Sequence, residues 1–116
     1  MQNVEHSDVK IFDRQALLAR LCDDEELANE VLSVFLEDTP HQIESLRAAH
    51  KDGDGEMIAR QGHTIKGASS NISALRMRQI AFDIEQAGKQ GEFDRVSELL
   101  AALEDQFREL QKFISG

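Results

Sequence analysis

"DRVSELLAALEDQFRELQKFI", residues 94–114, carries Val96, Leu100, Leu103, Phe107, Leu110 and Ile114 at alternating spacings of four and three. That alternation keeps one apolar stripe on one side of a helix, the pattern of a coiled-coil-like seam. A helix of this kind lies lengthwise against other helices, so the fold is sought among bundles.

Upstream segments supply the partners. Asp13 is an N-cap candidate, with Phe12 before it and Leu17 at the staple position, for a short helix ending near Leu21. Asp23 opens a second helix, with Glu26 three residues on as its capping-box partner. Leu27, Val31, Val34, Phe35, Ile43 and Leu46 form its expected apolar stripe. Pro40 falls inside that run, and the stripe resumes beyond it in similar phase, which predicts one kinked helix. "KDGDG", residues 51–55, is a break, and Asp54 caps a third helix carrying Met57, Ile58, Ile65 and Ile72. "SNIS", residues 70–73, ends it, and Ser73 is the expected cap of a fourth helix bearing Met77, Ile80, Ala81, Ile84 and Ala87. "GKQGE", residues 88–92, is the turn into the final helix, which starts near Asp94. Residues 1–10 show no periodicity and read as a flexible tail or linker, leaving 11–116 as one domain. The fold class is all-α, an antiparallel four-helix bundle with a short additional N-terminal helix.

Composition excludes several functions. The 116 residues carry a net charge of −9, which disfavours nucleic acid and an anionic membrane surface as partners. The polar start "MQNVEHSDVK" has no apolar signal-peptide core, and the chain has no long apolar run. With one cysteine there is no internal disulfide, and Cys22 is expected to be a small buried filler in a reducing cytoplasm. His6, His41, His50 and His63 include no pair at i, i+4, so no metal site is expected. "CDDEELANE" is an acidic first helical turn, and no Ser/His/Asp order suggests a hydrolase.

One stretch is not explained by packing. "GHTIKGASSN", residues 62–71, places His63 between Gly62 and Gly67 inside a helix. Each glycine costs about 0.5–1 kcal/mol there relative to alanine. On a helical wheel His63 stands about 160° from Ile65, away from the deepest core. Ala59, Lys66, Gly67 and Ser70 are its wheel neighbours, and all but Lys66 are small. No acidic residue occurs from Met57 to Phe82, whereas Arg60, Lys66, Arg76 and Arg78 do. A cleared, basic strip around one imidazole suggests a transient phosphoryl group and a macromolecule approaching over Ala59, Arg60, Gly67 and Ser70.

"HTIKGASSNISALRMRQIAFDIEQA", residues 63–87, resembles the signature of histidine-containing phosphotransfer (HPt) domains: His, two residues, Lys-Gly, small residues, a turn, then a helix with Glu or Gln. The resemblance implies a phosphorelay intermediate without kinase activity of its own. It would take a phosphoryl group on histidine from an aspartyl-phosphate receiver domain and pass it to another. It further implies His63 as acceptor through Nε2, Lys66 offsetting the phosphate charge, Gly67 leaving room for the receiver, and Glu85 orienting the imidazole through Nδ1. Mg²⁺ would come with the receiver, with no cofactor of the chain's own. Partners would be response-regulator receivers or a hybrid histidine kinase, and the chain a cytoplasmic monomer. Two departures stand out: Ser73 where the family commonly has Gly, and Gly62 where Ala is usual, a change expected to loosen the helix without touching the chemistry. The other reading is a helical interaction module whose histidine is never phosphorylated.

Overall fold

The structure is a computed structural model, and it describes residues 10–115. The expected tail falls almost wholly outside them. Five helices follow in order: α1 Arg14–Arg20, α2 Glu25–Lys51, α3 Gly55–Asn71, α4 Leu75–Gln90 and α5 Phe93–Ser115. The last four form the antiparallel bundle and α1 lies against one end of it. No described helix is long and apolar enough to cross a membrane.

Local chemistry explains most boundaries. The carboxylates of Asp13, Asp24 and Asp54 accept from the amides of Ala16, Leu27 and Met57 at 3.0–3.1 Å, each satisfying an otherwise orphaned N–H. The cap of α2 is therefore Asp24, not Asp23, and Glu26 completes no capping box. Cys22 and Asp23 both adopt left-handed backbone (φ 55° and 63°), so the chain turns there and helical geometry begins one residue later. The same turn leaves Cys22 exposed instead of buried. Between the last two helices Gly91 (φ 70°) stops α4, and α5 begins one residue before Asp94.

Helix α2 runs unbroken through Pro40. Proline removes the amide that would bond to Leu36, and the buried Thr39 hydroxyl donates to the Phe35 carbonyl at 2.6 Å one position earlier. The buried face of α2 is Ala28, Leu32, Phe35, Thr39, Ile43, Leu46 and Ala49. This corrects the predicted stripe in its first three turns: Leu27 and Val34 are 40% and 54% exposed and Val31 is half-buried. Elsewhere the predicted core positions of α3, α4 and α5 are buried, with Met57 and Ile114 half-buried at the margin. Phe35 and Phe107 meet at a centroid distance of 6.3 Å, tilted by 57°, joining α2 to α5.

The tightest pairing is α3 against α4. A methyl group on Gly88 would stand 2.8 Å from the Ile58 side chain and 2.9 Å from the Ala59 amide nitrogen. One on Gly62 would stand 3.0 Å from the backbone nitrogen of Glu85. These glycines let two backbones approach more closely than side chains would permit. Gly62 does not loosen α3; it seats α3 against the turn of α4 that bears Glu85.

The α3–α4 turn is held from α1. Ser73 has φ 61°, the conformation glycine adopts most easily, and is not the α4 cap: that position is Ala74, with no side-chain hydrogen bond. The Ser73 hydroxyl instead accepts from Arg20, whose guanidinium also donates to the Ser70 carbonyl at 2.9 Å. The Asp13 amide donates to Ser73 and the Arg76 amide to Lys10, both at 2.9 Å.

Candidate functional site

His63 lies mid-way along α3 (Gly55–Asn71), where the helical backbone fixes the direction of its side chain. Its side chain is 68% exposed, while that of Glu85, reaching across from α4, is only 10% exposed. The two meet through Nδ1 and Oε2 at 3.4 Å, a contact longer than a tight hydrogen bond. Nε2, on the opposite edge of the ring, has no partner among the described residues.

Glu85 is the hub of the cluster. Lys66 Nζ lies 3.1 Å from its Oε1 and Lys89 Nζ 3.5 Å from its Oε2. Burial pushes the Glu85 carboxyl up, but the Lys66 ammonium, then His63 and Lys89, outweigh it and hold the group below its ordinary 4.5. A carboxylate so held stays ionised near neutral pH and accepts a hydrogen bond from the N–H that faces it. It therefore favours the tautomer with hydrogen on Nδ1 and the lone pair on Nε2.

Lys66 is half-buried and turned toward Glu85, with its ammonium 5.3 Å from the centroid of the Phe82 ring. Gly67 is exposed, and a methyl group there would meet nothing within 4 Å. The strip beside the imidazole is thus open space, bordered by the exposed Arg60. Ser70 is half-buried, its carbonyl held by Arg20. Ala59 is a correction: it is buried in the α3–α4 contact and presents no docking surface. One helical turn from the histidine it rotates toward α4, and the 160° separation of His63 from Ile65 says nothing of where that second neighbour packs.

Two features went unseen in the sequence. Lys89 belongs to the predicted turn at residues 88–92, yet it lies on α4 at i+4 from Glu85, a spacing that pairs opposite charges and signals the contact. Val31 and Val34 of the predicted α2 stripe instead line an open groove of about 140 Å³ with Ala68 and Asn71 of α3. Of the other histidines, His6 lies outside the described residues, His41 is exposed, and His50 Nε2 sits 2.9 Å from the Phe93 carbonyl. Among the described residues no three His, Cys, Asp or Glu side chains converge in a way that could hold a metal ion.

The family model described as Hpt domain matches residues 30–113. Among solved structures, histidine-containing phosphotransfer protein B (HptB) from Pseudomonas aeruginosa PAO1 is similar with a TM-score of 0.84 and 25% identity, over 90% of this chain and 91% of that one. The HPT domain of the Hpt sensor hybrid histidine kinase from Shewanella has a TM-score of 0.74 at 19% identity, again over 90% and 91%, a likeness of fold alone. No curated protein matches the chain.

Proposed function

The chain belongs to the Hpt domain family, and on that premise we propose that His63 carries a phosphoryl group between receiver domains. A phosphotransfer role in two-component signalling follows from the family, whose members work with receiver domains and histidine kinases. The observation that carries the assignment to His63 is its pairing with the buried Glu85 carboxylate, which engages Nδ1 and leaves Nε2 on the outer edge of an exposed ring.

The Nε2 lone pair attacks the phosphorus of an aspartyl phosphate, an N–P bond forms, and the P–O bond breaks with its electron pair leaving on the aspartate carboxylate. The proton stays on Nδ1, and the positive charge the ring gains faces Glu85. Mg²⁺ is supplied by the receiver. Transfer onward is the reverse step on a second receiver. Lys66 needs only to swing from Glu85 to meet a phosphoryl oxygen, while Lys89 remains to neutralise the carboxylate. The chain positions and carries the group and has no kinase chemistry of its own. The receiver docks across α3, over the open space at Gly67 and Arg60, and against the exposed Leu27 and Val34 and the half-buried Val31 of α2. The working form is a monomer in the cytoplasm.

The test is transfer from several phosphorylated receivers with Mg²⁺ to the wild-type chain and to His63→Gln. Acid-labile, alkali-stable label on the wild type alone is expected. A folded wild-type chain that takes no label from any receiver, nor from a kinase domain with ATP, overturns the reading in favour of an interaction module.

A further inference from the structure

Beside the Glu85 cluster, on the side of α4 toward its N-terminus, Lys66, Ser70, Arg78, Gln79 and Phe82 line a notch of about 360 Å³. Its chemistry differs from the rest of the surface. The chain carries a net charge of −9, yet the notch is lined by two cations and no carboxylate. Lys66 is paired with Glu85 and turns to the phosphoryl group on transfer, which leaves Arg78 as the notch's own cation. Arg78 is exposed and its guanidinium has no ion-pair partner among the described residues. The Gln79 amide, which donates to Asp83 at 3.3 Å, and the Ser70 hydroxyl complete a polar wall, with the Phe82 ring on the apolar side. A planar guanidinium in a concavity with neighbouring donors suits a two-oxygen anion.

Position decides what that anion belongs to. Ser70 is seven residues from His63, about 10 Å along the helix axis at 1.5 Å per residue. A protein that brings an aspartyl phosphate to His63 covers about 800 Å² of this surface, a patch of about 16 Å radius. The notch lies inside that footprint, so its occupant comes with the receiver.

We propose that the notch binds a carboxylate side chain on the docking face of the receiver, with Arg78 as the residue that selects for it. The proposal rests on the reading of His63 as phosphoryl carrier. Arg78 touches no reacting atom; it sets which receivers dock and how fast.

The experiment compares wild type, Arg78→Lys and Arg78→Glu in transfer from a set of phosphorylated receivers, as a function of receiver concentration and salt. Each chain is also phosphorylated by phosphoramidate, a small donor that needs no docking surface. For the receivers that serve the wild type best, Arg78→Glu is expected to lower the second-order transfer rate constant at least tenfold. The rate at saturating receiver and the labelling by phosphoramidate should stay within twofold. Arg78→Lys, which keeps the charge but loses the planar fork, should fall between wild type and Arg78→Glu in rate and keep most of the salt dependence. Equal second-order rate constants for wild type and Arg78→Glu overturn the proposal, as does a loss confined to the saturated rate. Inorganic phosphate binding in the notch, detected by shifts of the Arg78 side-chain resonances, with no change in transfer for Arg78→Glu, also overturns it. Failure of the wild type to take label from any receiver overturns the carrier reading itself, so the two failures are distinct.

Discussion

The two glycines Gly67 and Gly88 are both helical, and alanine should act on them with opposite signs. At Gly67 a methyl group enters open space. The substitution then keeps only the backbone gain, about 0.5–1 kcal/mol of added stability. At Gly88 the same methyl group would stand 2.8 Å from the Ile58 side chain, 2.9 Å from the Ala59 nitrogen and 3.0 Å from the Gly55 carbonyl oxygen. Two of those three atoms are backbone and cannot step aside without parting α3 from α4. Overpacking of this kind costs about 1–3 kcal/mol, which exceeds the backbone gain. The net expectation is a loss of about 1–2 kcal/mol for Gly88→Ala, set against a gain for Gly67→Ala. Urea unfolding followed by circular dichroism reads both, provided the slope with denaturant is unchanged. Transfer assays separate stability from function. Gly67→Ala should be more stable yet slower with receivers, because its methyl group stands on the strip beside His63, while labelling by phosphoramidate stays normal. A Gly88→Ala chain as stable as wild type would refute the claim that backbone contact holds these helices. A Gly67→Ala chain less stable than wild type would show that the open space is not open.

Glu85 makes stability depend on acid. Its folded-state pKa lies below the ordinary 4.5, so the stabilisation is complete above that value and is lost as pH falls through the lower folded value. Melting temperatures from about pH 3 to pH 7 should therefore fall less steeply on the acid side for Glu85→Gln than for wild type, and parallel curves would contradict the pairing. Cys22, exposed at the α1–α2 turn, should react with an aromatic disulfide reagent in the native protein within a few-fold of its rate in the unfolded chain. A thiol protected until denaturant is added would mean the turn is folded differently.

Much of the bundle was legible because its signals are local. Asp13 and Asp54 cap their helices through an oxygen that reaches an amide three residues on, and that reach needs no other part of the chain. The four-three alternation from Val96 to Leu110 has one phase that hides every large aliphatic, and those residues are buried. The Asp23–Asp24 pair was harder, since either carboxylate can cap. The left-handed turn at Cys22 and Asp23 makes the choice, and neither residue type announces it. In α2 the spacing of Leu27, Val31 and Val34 is as helical as that of Ala28, Leu32 and Phe35. Periodicity reports that a stripe exists; which of two neighbouring stripes is covered depends on where α3 and α5 lie.

The candidate site divides in the same way. His63 and its flanking glycines could be found in sequence because a helix tolerates such a cluster only for a reason, and its exposure followed from the wheel. The position of Glu85 came with the resemblance. Its burial, and the convergence of Lys66, Lys89 and His63 on one carboxylate, came only with the packing of α4 on α3. Sequence alone determined the helices, their order and the one histidine set apart from the core, because caps, breaks and apolar spacing act within a few residues. Tertiary structure alone decided which glycine is a contact and which an opening, which aliphatics stay exposed, and the ionisation of Glu85. Each of those is a relation between two helices brought together across a turn, and no single helix encodes it.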